Sequence, residues 1–386
     1  MFVRIDNDPR DYAWGSTHAI AHLLGREASG NPEAELWLGA HPTSPSRVLE
    51  PEHTGGARTL ASWDESAELP FLLKVLAADG PLSLQAHPSL AQAKAGFARE
   101  NAAGIPLNSA ERNYADANHK PELIYALSDS FDALCGFRDP ADSARAIRAL
   151  GNGESTLETF ARSLDGDPRT VLRKATSWLL SREDGVEELV AGVVKAATDY
   201  RDGEAALEAD TVRLLNEEFP GDPGIVLSLL LNRIRLARGE VLYLPAGNIH
   251  AYLRGLGIEL MAASDNVMRG GLTKKRVDRA ELLAILDFAP IAPTPLTPLT
   301  LGPGLHEFRP SVPDFVLVHL AGRNDTEAII TVPRMAIALC TEGTLELRGL
   351  LTSHTLKRGE AVYITADEQT LTVSGAGEMF LAQPGG

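Results

Sequence analysis

The sequence has little cysteine, no long apolar run and no excess of positive charge. Two cysteines among 386 residues, Cys135 and Cys340, cannot build a disulfide framework, which excludes the small disulfide-rich secreted classes. No apolar stretch approaches the roughly 20 residues that span a bilayer, and the first residues lack the apolar core of a secretory signal. The formal net charge of −16 disfavours a nucleic-acid partner. We therefore expect a cytoplasmic protein that binds neither membrane nor nucleic acid.

The residue pattern changes three times along the chain. Short strand-like runs broken by glycine and proline fill residues 1–137 and return over 223–290. Between them, residues 138–222 have apolar residues at three-to-four spacing, which is typical of helices. After a proline-rich linker, residues 291–386 carry further short strands. We predict a mainly β protein with a discontinuous domain over 1–137 and 223–290, an α-helical insertion domain over 138–222 and a C-terminal domain over 291–386.

An internal repeat links the second and last of these β regions. Residues 236–255 align without gaps to residues 356–375, with seven identities in twenty positions. This favours a duplicated β module. The second copy has Thr370 where the first has His250. The C-terminal copy is therefore interpreted as a degenerate, structural module.

Four side chains are candidates for one metal site. Gln85 and His87 lie two residues apart in a strand-like run, so both point to the same face of the strand. Glu122 in NHKPELIYAL and His250 in GNIHAYL can complete a shell of nitrogen and oxygen ligands. The absence of thiolate argues against a closed structural zinc site and for a site with an open position for chemistry.

Basic residues are candidates for binding an anionic substrate. Lys74 stands in the otherwise apolar run FLLKVL, where a buried lysine needs an anionic partner that a substrate phosphate would supply. Arg269 precedes two glycines that allow close approach of the backbone. The segment from Arg269 to Arg279 carries five basic residues and one acid. Against a net negative charge, such a local cluster is the expected anion site.

Three further residues are given structural roles. Trp14 and Trp37 are assigned to the hydrophobic core, since large aromatic side chains are mostly buried there. His41, in GAHPTSPS, is assigned to a turn.

Several motifs occur together in a specific order. They are YAWGS, ELWLGAHPTSPS, LPFLLKVL with PLSLQAHP, NHKPELIYAL, GEVLYLPAGNIHAYL and MAASDNVMRGGLTKK. Over about residues 12–287 the chain resembles the type I phosphomannose isomerase family of the cupin superfamily. The resemblance implies two cupin modules, which are jelly-roll-like β-barrels, with a helical insertion.

The resemblance also implies roles for individual residues. It implies zinc ligands, one divalent ion per chain, at Gln85, His87, Glu122 and His250. It implies substrate or phosphate contacts at Lys74, Ser83, Lys275 and Tyr252, and catalytic positions at Arg269, Lys120, Glu259 and His119. The family often has GLTPK where this chain has GLTKK. Whether Lys274 or Lys275 contacts the phosphate therefore stays open.

The implied reaction interconverts mannose 6-phosphate and fructose 6-phosphate. A proton moves between C1 and C2 of the open-chain sugar through an enediol, whose oxygens a divalent metal can stabilise. Lys120 and Glu259 remain alternative bases. Arg269 would balance charge, and His119 would assist ring opening.

Two other functions remain open from the residues alone. Iron could occupy the same ligands in a cupin oxygenase, because affinity order does not choose the metal. A non-catalytic sugar-sensing or structural cupin is the second alternative, although such a module should have lost its ligands. We expect a phosphosugar as the small-molecule partner, and a monomer or a weak homo-oligomer.

Overall fold

The protein is mainly β, as predicted. A computed structural model describes residues 1–63, 69–324 and 326–385. In this part of the chain the strands form two antiparallel sheets, one of nine strands and one of ten. The strands are β1 (Phe2–Asp6), β2 (Glu35–Leu38), β3 (Arg47–Val48), β4 (Phe71–Ala78), β5 (Leu84–Ala86), β6 (Glu122–Ala126), β7 (Phe131–Phe137), β8 (Leu231–Leu236), β9 (Val241–Leu244), β10 (His250–Ala262), β11 (Met268–Gly271), β12 (Leu299–Gly302), β13 (Leu305–Phe308), β14 (Val316–Gly322), β15 (Ala328–Thr331), β16 (Ala336–Arg348), β17 (Ser353–Lys357), β18 (Ala361–Ile364) and β19 (Thr370–Gln383).

Helices are concentrated in the middle of the chain. They are α1 (Ala19–Leu23), α2 (Leu90–Ala102), α3 (Pro140–Gly151), α4 (Ser155–Ser163), α5 (Pro168–Ser181), α6 (Val186–Asp199), α7 (Ala206–Glu218), α8 (Gly224–Ser228) and α9 (Arg279–Ile285), with short 3₁₀ helices at Pro51–Thr54, Leu60–Ser62 and Ala366–Glu368. Among the described residues, no helix has both the length and the apolar character that crossing a membrane requires.

The long strand β10 organises the nine-stranded sheet. Its first half pairs with β5 and β7, and its second half pairs with β4 and β6. The short strand β5 lies between β10 and β11, so that Gln85 faces His250 on one side and Arg269 on the other. Three of the predicted site residues are therefore cross-strand neighbours.

The ten-stranded sheet is built from the C-terminal strands together with two N-terminal ones. Strand β1 pairs with β18 and with β3, so residues 2–6 and 47–48 belong to this sheet. The predicted boundaries instead group all of residues 1–137 with the first domain. The physical reason for the difference is that β1 covers the edge of β18, which would otherwise expose unpaired backbone groups.

Six helices, α3 to α8, lie in sequence between β7 and β8. These two strands pair with each other, from Phe131 opposite Leu236 to Phe137 opposite Leu231, so the chain returns to the point where it left the sheet. The apolar faces of these six helices form one buried cluster with side chains of the nine-stranded sheet, and this cluster includes Leu272. The helices are therefore packed against the sheet next to the loop that follows β11.

The internal repeat has matching structure in its two copies. Strands β9 and β18 have equivalent bounds 120 residues apart, and β10 and β19 begin at His250 and Thr370. The turn before each pair contains a glycine with positive φ, 91° at Gly239 and 82° at Gly359. Glycine suits this left-handed conformation in both turns.

Candidate metal centre and active site

Three predicted metal ligands converge in the interior of the nine-stranded sheet. His87 follows β5, Glu122 begins β6 and His250 begins β10. Each side chain is 1% exposed. His87 Nε2 lies 3.3 Å from Glu122 Oε1, and His250 Nε2 lies 3.3 Å from Glu122 Oε2. Each of the three residues offers one ligand atom, and these three atoms lie within 4.8 Å of one another. This spacing is suited to a single ion.

Backbone carbonyls orient both imidazoles. Nδ1 of His87 lies 2.7 Å from the carbonyl oxygen of Asn266, and Nδ1 of His250 lies 3.1 Å from that of Asn248. Because a carbonyl can only accept, both rings carry their proton on Nδ1. The lone pair of each Nε2 is thereby directed toward Glu122. Such a hydrogen bond on the far nitrogen is typical of histidines that bind metals.

The fourth predicted ligand, Gln85, lies at the same point. Its Nε2 lies 3.3 Å from Nε2 of His250. The amide oxygen and nitrogen of glutamine are interchangeable by a rotation of 180°, so either atom can be presented here. The four residues that the sequence nominated are therefore neighbours in the structure.

The donor set fits a divalent cation. Nε2 of His87 and Oε2 of Glu122 are buried, and neither makes a well-formed hydrogen bond to a described residue. Burial lowers the pKa of His87 to about 4, so its imidazole is neutral. Burial opposes ionisation of Glu122, but the positive charge of Lys120 outweighs it and holds the pKa of its carboxyl well below the usual range. Two neutral imidazoles and one carboxylate leave a bound divalent ion with net positive charge.

Lys74 is buried in an ion pair with carboxylates. Its Nζ lies 2.9 Å from Glu259 Oε2 and 3.9 Å from Glu35 Oε1, and 5.1 Å above the ring of Trp37. Burial alone would lower the pKa of Lys74, but these two carboxylates outweigh it and raise the pKa. The anionic partner that its burial requires is therefore supplied by Glu259 within the chain. This differs from the expectation that a substrate phosphate supplies it.

A cavity of about 740 Å³ joins these groups. Nine of the twelve predicted site residues line it: Lys74, Ser83, Gln85, Lys120, Glu122, Tyr252, Glu259, Arg269 and Lys275. Lys120 Nζ lies 2.9 Å from Glu122 Oε1. His87 and His250 are not among the lining residues, but each contacts Glu122 at 3.3 Å. Two of the four candidate ligands, Gln85 and Glu122, thus line the cavity, and the two histidines adjoin them.

The cavity also has a cationic region. Among the described residues no acidic partner is found for Arg269, Lys274 or Lys275. Burial lowers the pKa of the half-buried Arg269. The positive charge of Arg269, followed by burial, lowers the pKa of Lys275. Two cations that repel each other at a cavity wall are suited to an anionic ligand between them.

His119 is separated from the other predicted residues. It is not among the residues that line the cavity, and its Nε2 lies 2.9 Å from Oδ2 of Asp314 in the segment between β13 and β14. Neighbouring residues of an extended chain point to opposite sides. Because Lys120 points into the cavity, His119 points toward the C-terminal sheet.

Comparison with known proteins identifies the family. Residues 2–140 match the family described as phosphomannose isomerase type I, catalytic domain. The chain is 38% identical over 394 residues to mannose-6-phosphate isomerase of Escherichia coli, covering 97% of this chain and 98% of that protein. A solved structure of zinc-bound mannose 6-phosphate isomerase superposes with a TM-score of 0.85 at 36% identity, and covers 99% of both chains. The apo form from Salmonella typhimurium gives the same three values.

The chain belongs to the type I mannose-6-phosphate isomerase family. The family match over residues 2–140 contains Gln85, His87 and Glu122, whereas His250 lies beyond it. The Escherichia coli mannose-6-phosphate isomerase aligns over nearly the whole chain. Similarity to this family favours an isomerase over the oxygenase and the non-catalytic module that the ligands alone left open.

Sequence reasoning missed several residues of the cavity of this mannose-6-phosphate isomerase family member. Glu35, for which no role is predicted, and Trp37 lie on β2 and face Lys74. Trp37 is buried, which confirms its assignment to the core, but it also lines the cavity. Glu35 and Trp37 lie two residues apart, which is the spacing of a shared strand face and was the available signal. Trp14 also lines the cavity, although it is assigned to the core by sequence.

Two further cavity residues come from distant parts of the chain. Asp265 accepts from Nε2 of His41 at 3.0 Å with both carboxylate oxygens, which gives His41 a partner beyond its turn. Phe219, just after α7, brings the helical region to the cavity. No spacing in the sequence relates Phe219 to the metal ligands, because the contact depends on how the helices dock.

Proposed function

We propose that this chain interconverts mannose 6-phosphate and fructose 6-phosphate with one zinc ion held by Gln85, His87, Glu122 and His250. The observation that carries the proposal is the buried cluster of His87, Glu122 and His250 beside a cavity that also contains unpaired cations. Membership of the family supports the substrate, and the zinc-bound relative supports the metal. The unsatisfied buried atoms of His87 and Glu122 are the local reason to expect an ion.

Zinc, when bound, would stabilise negative charge on the substrate oxygens as a Lewis acid. The protein must then move protons. In the direction from aldose to ketose, one proton leaves C2 and arrives at C1, and a second moves from the C2 hydroxyl to the oxygen on C1. Halfway through both transfers the sugar is an enediol, in which the proton has left C2, the oxygen on C1 has gained a proton, and C1 has yet to receive one.

Glu259 is the base that the contacts favour. Its carboxyl is buried in the cavity wall, and burial raises its pKa against the opposing charge of Lys74. A carboxyl with a raised pKa holds a proton more readily, which suits it both to accept and to return one. Lys120 instead donates to Glu122 at 2.9 Å, which suits it to holding that ligand and to contacting a substrate oxygen. Tyr252 is buried beside Glu259, and its hydroxyl makes no well-formed hydrogen bond to a described residue, which leaves it free to contact the substrate.

Arg269 and Lys275 are proposed to bind the phosphate, with Ser83 at the same cavity wall. Both cations lack an acidic partner among the described residues, whereas Lys74 already has two. The influence of Arg269 on the pKa of Lys275 places these two charges near each other, which favours Lys275 over Lys274. Lys74 is proposed to hold Glu259 in place.

His119 is proposed as a positioning residue. Its ion pair with Asp314 fixes the start of the segment that carries Lys120 and Glu122. It would act on ring opening only through these neighbours.

The architecture is proposed to consist of two cupin modules with a helical insertion. The matching strand bounds and turn glycines of the repeat support a duplication, and His250 against Thr370 supports a degenerate C-terminal copy. Residues 138–222 form the insertion. Strands β1 and β3 belong with residues 291–386, and the rest of 7–137 with 223–290. Cytoplasmic location is supported by free thiols at Cys135 and Cys340.

One experiment tests the central proposal. The purified chain is stripped of metal, reloaded with zinc and given mannose 6-phosphate, and the product is followed by NMR. We expect fructose 6-phosphate to form only after zinc is restored. Formation of a product that requires dioxygen, or no conversion by fully zinc-loaded and folded protein, would rule the proposal out.

A further inference from the structure

A buried leucine has an unfavourable backbone conformation next to the cationic region. Leu272 has φ of 53° and is 0% exposed. This left-handed conformation is uncommon for residues other than glycine, and for a bulky side chain it persists only where the surroundings impose it. Leu272 lies between Arg269 at one end of the loop and Lys275 at the other. Its conformation therefore determines how the chain runs from one cation to the next.

Asp222 imposes this conformation from the helical region. Its Oδ1 accepts a hydrogen bond from the backbone N–H of Leu272 at 3.0 Å and another from that of Gly224 at 2.7 Å. The side chain of Asp222 is 11% exposed. It lies in the turn between α7 and α8, fifty residues before Leu272 in sequence.

The two segments are in close backbone contact at this point. A Cβ built on Gly224 would lie 2.9 Å from Cγ of Leu272 and 3.0 Å from its backbone nitrogen. A Cβ built on Gly271 would lie 3.1 Å from Cα of Gly224. Only glycines at these positions allow the turn and the loop to approach so closely. The hydrogen bond that Leu272 donates to Asp222 is thus part of a closely packed contact between the turn and the loop.

The two oxygens of Asp222 have different partners. Oδ2 lies 3.3 Å from the guanidinium of Arg182, which is 57% exposed. Oδ1 makes the two backbone contacts. The bond to Gly224, two residues ahead, is a local turn bond of the kind aspartate commonly makes. The turn between α7 and α8 is closed without the hydrogen bond from Leu272. That bond therefore stabilises the conformation of the loop after β11.

We infer that Asp222 is a positioning residue for phosphate binding, through which the helical region sets the distance between Arg269 and Lys275. This inference rests on the proposed function of those two cations. Arg269 is fixed in β11 by its pairing with Gln85. Without the hydrogen bond that Leu272 donates to Asp222, we expect Leu272 to relax to negative φ and Lys275 to move, while Arg269 stays.

The test variant is Asp222→Ser. A serine hydroxyl can still accept from the N–H two residues ahead but is too short to reach Leu272. The zinc-loaded variant is assayed for kcat, for KM toward mannose 6-phosphate and for competitive inhibition by inorganic phosphate. We expect KM and the inhibition constant of phosphate to rise together by about tenfold. Zinc content and kcat should change little, because the metal ligands lie on other strands.

Two control variants separate the hydrogen bond from the charge. Asp222→Asn retains an oxygen that can accept both N–H groups, and is expected to restore KM and phosphate inhibition close to wild type. Arg182→Ala removes only the ion pair on Oδ2 and is expected to leave both constants unchanged.

The outcomes distinguish this inference from the proposed function. If Asp222→Ser changes the melting temperature but neither KM nor phosphate inhibition, Asp222 is merely structural and the inference is wrong. If Lys275→Ala leaves phosphate inhibition unchanged, the proposed phosphate site itself is wrong. If Arg182→Ala raises KM as much as Asp222→Ser, charge rather than the bond to Leu272 is responsible, which also overturns the inference.

Discussion

At the scale of single residues, the cavity is distinguished by charges that are buried only because they are paired. Lys74 with Glu259 and Lys120 with Glu122 are nearly inaccessible, and each pair is close enough to hydrogen bond. Removing one partner of such a pair leaves a buried charge uncompensated, which is strongly destabilising. Sequence alone located these four residues but paired none of them. The register of β4 and β10 sets the pairing of Lys74 with Glu259, whereas Lys120 and Glu122 are only two residues apart in one segment.

Glu122 and Glu259 are predicted to fail in different ways when each is replaced by glutamine. Glu122→Gln keeps the shape of a ligand but removes its charge, so zinc affinity should fall by about 100-fold, as measured by competition with a chelator. Glu259→Gln should keep zinc affinity near wild type and lose turnover by about 100-fold or more, because the proton-transferring group is absent.

The contrast between these two variants is the control. Both remove one buried carboxylate of the same cavity. Loss of zinc from Glu259→Gln, or retention of tight zinc binding by Glu122→Gln, would contradict the assignment of roles.

At the scale of elements, short strands and loops place the reactive groups. Strand β5 has only three residues, yet it holds Gln85 between His250 and Arg269. The period of two correctly predicted that Gln85 and His87 share a face. The loop after β11 was less predictable, since the conformation of Leu272 depends on an aspartate from another region.

Lys274 and Lys275 are adjacent exposed lysines of this loop and form a matched pair for a test. Lys275→Ala should raise KM for mannose 6-phosphate by about tenfold, which is the effect of losing roughly 1.4 kcal/mol of binding free energy. Lys274→Ala should change KM by less than about twofold, as surface charges contribute little. Steady-state kinetics at constant ionic strength decides between them, and equal effects of the two variants would remove the preference for Lys275.

At the scale of the whole molecule, distant segments meet at the site and between the sheets. The candidate metal ligands lie in or next to β5, β6 and β10, so an ion bound there would connect three strands. Aromatic side chains of both sheets, such as Tyr125 and Phe380 with ring centroids 4.8 Å apart, pack in a shared core. Stability and metal binding should therefore be linked.

Removal of zinc is predicted to lower the melting temperature. A ligand that binds only the folded state stabilises it by about 4 kcal/mol when its concentration is 1,000 times the dissociation constant. Differential scanning calorimetry with and without a chelator should show this loss, whereas Glu122→Gln, with zinc affinity about 100-fold lower, should lose only about 1.4 kcal/mol. An equal effect of the chelator on both proteins would mean that the stabilising ion binds elsewhere.

A carboxylate between the two sheets is predicted to make stability sensitive to acid. Burial raises the pKa of Glu378, but hydrogen bonds from His319 and Thr341 outweigh it and lower the pKa below its ordinary value of 4.5. Its stabilising contribution is thus present above about pH 4.5 and is lost as the pH falls further.

Glu378→Gln should accordingly flatten the dependence of unfolding free energy on pH below about 4.5, as measured by urea denaturation. Glu342→Gln is the matched control, since Glu342 is exposed and lies opposite Glu378 in the register of β16 and β19. If the two variants show the same slope with pH, the hydrogen bonds of Glu378 do not carry the effect.

The sequence by itself determined the mainly β character, the helical stretch and the candidate ligands Gln85, His87, Glu122 and His250, of which the structure brings His87, Glu122 and His250 together. These features follow from local periodicity and from residue types whose chemistry is known from the sequence alone. The tertiary structure decided what local patterns cannot encode, namely the pairing of Lys74 with Glu259, the orientation of His119 toward Asp314 and the hold of Asp222 on Leu272. Each of these contacts joins residues 50 or more positions apart, so strand register and helix docking alone fix them.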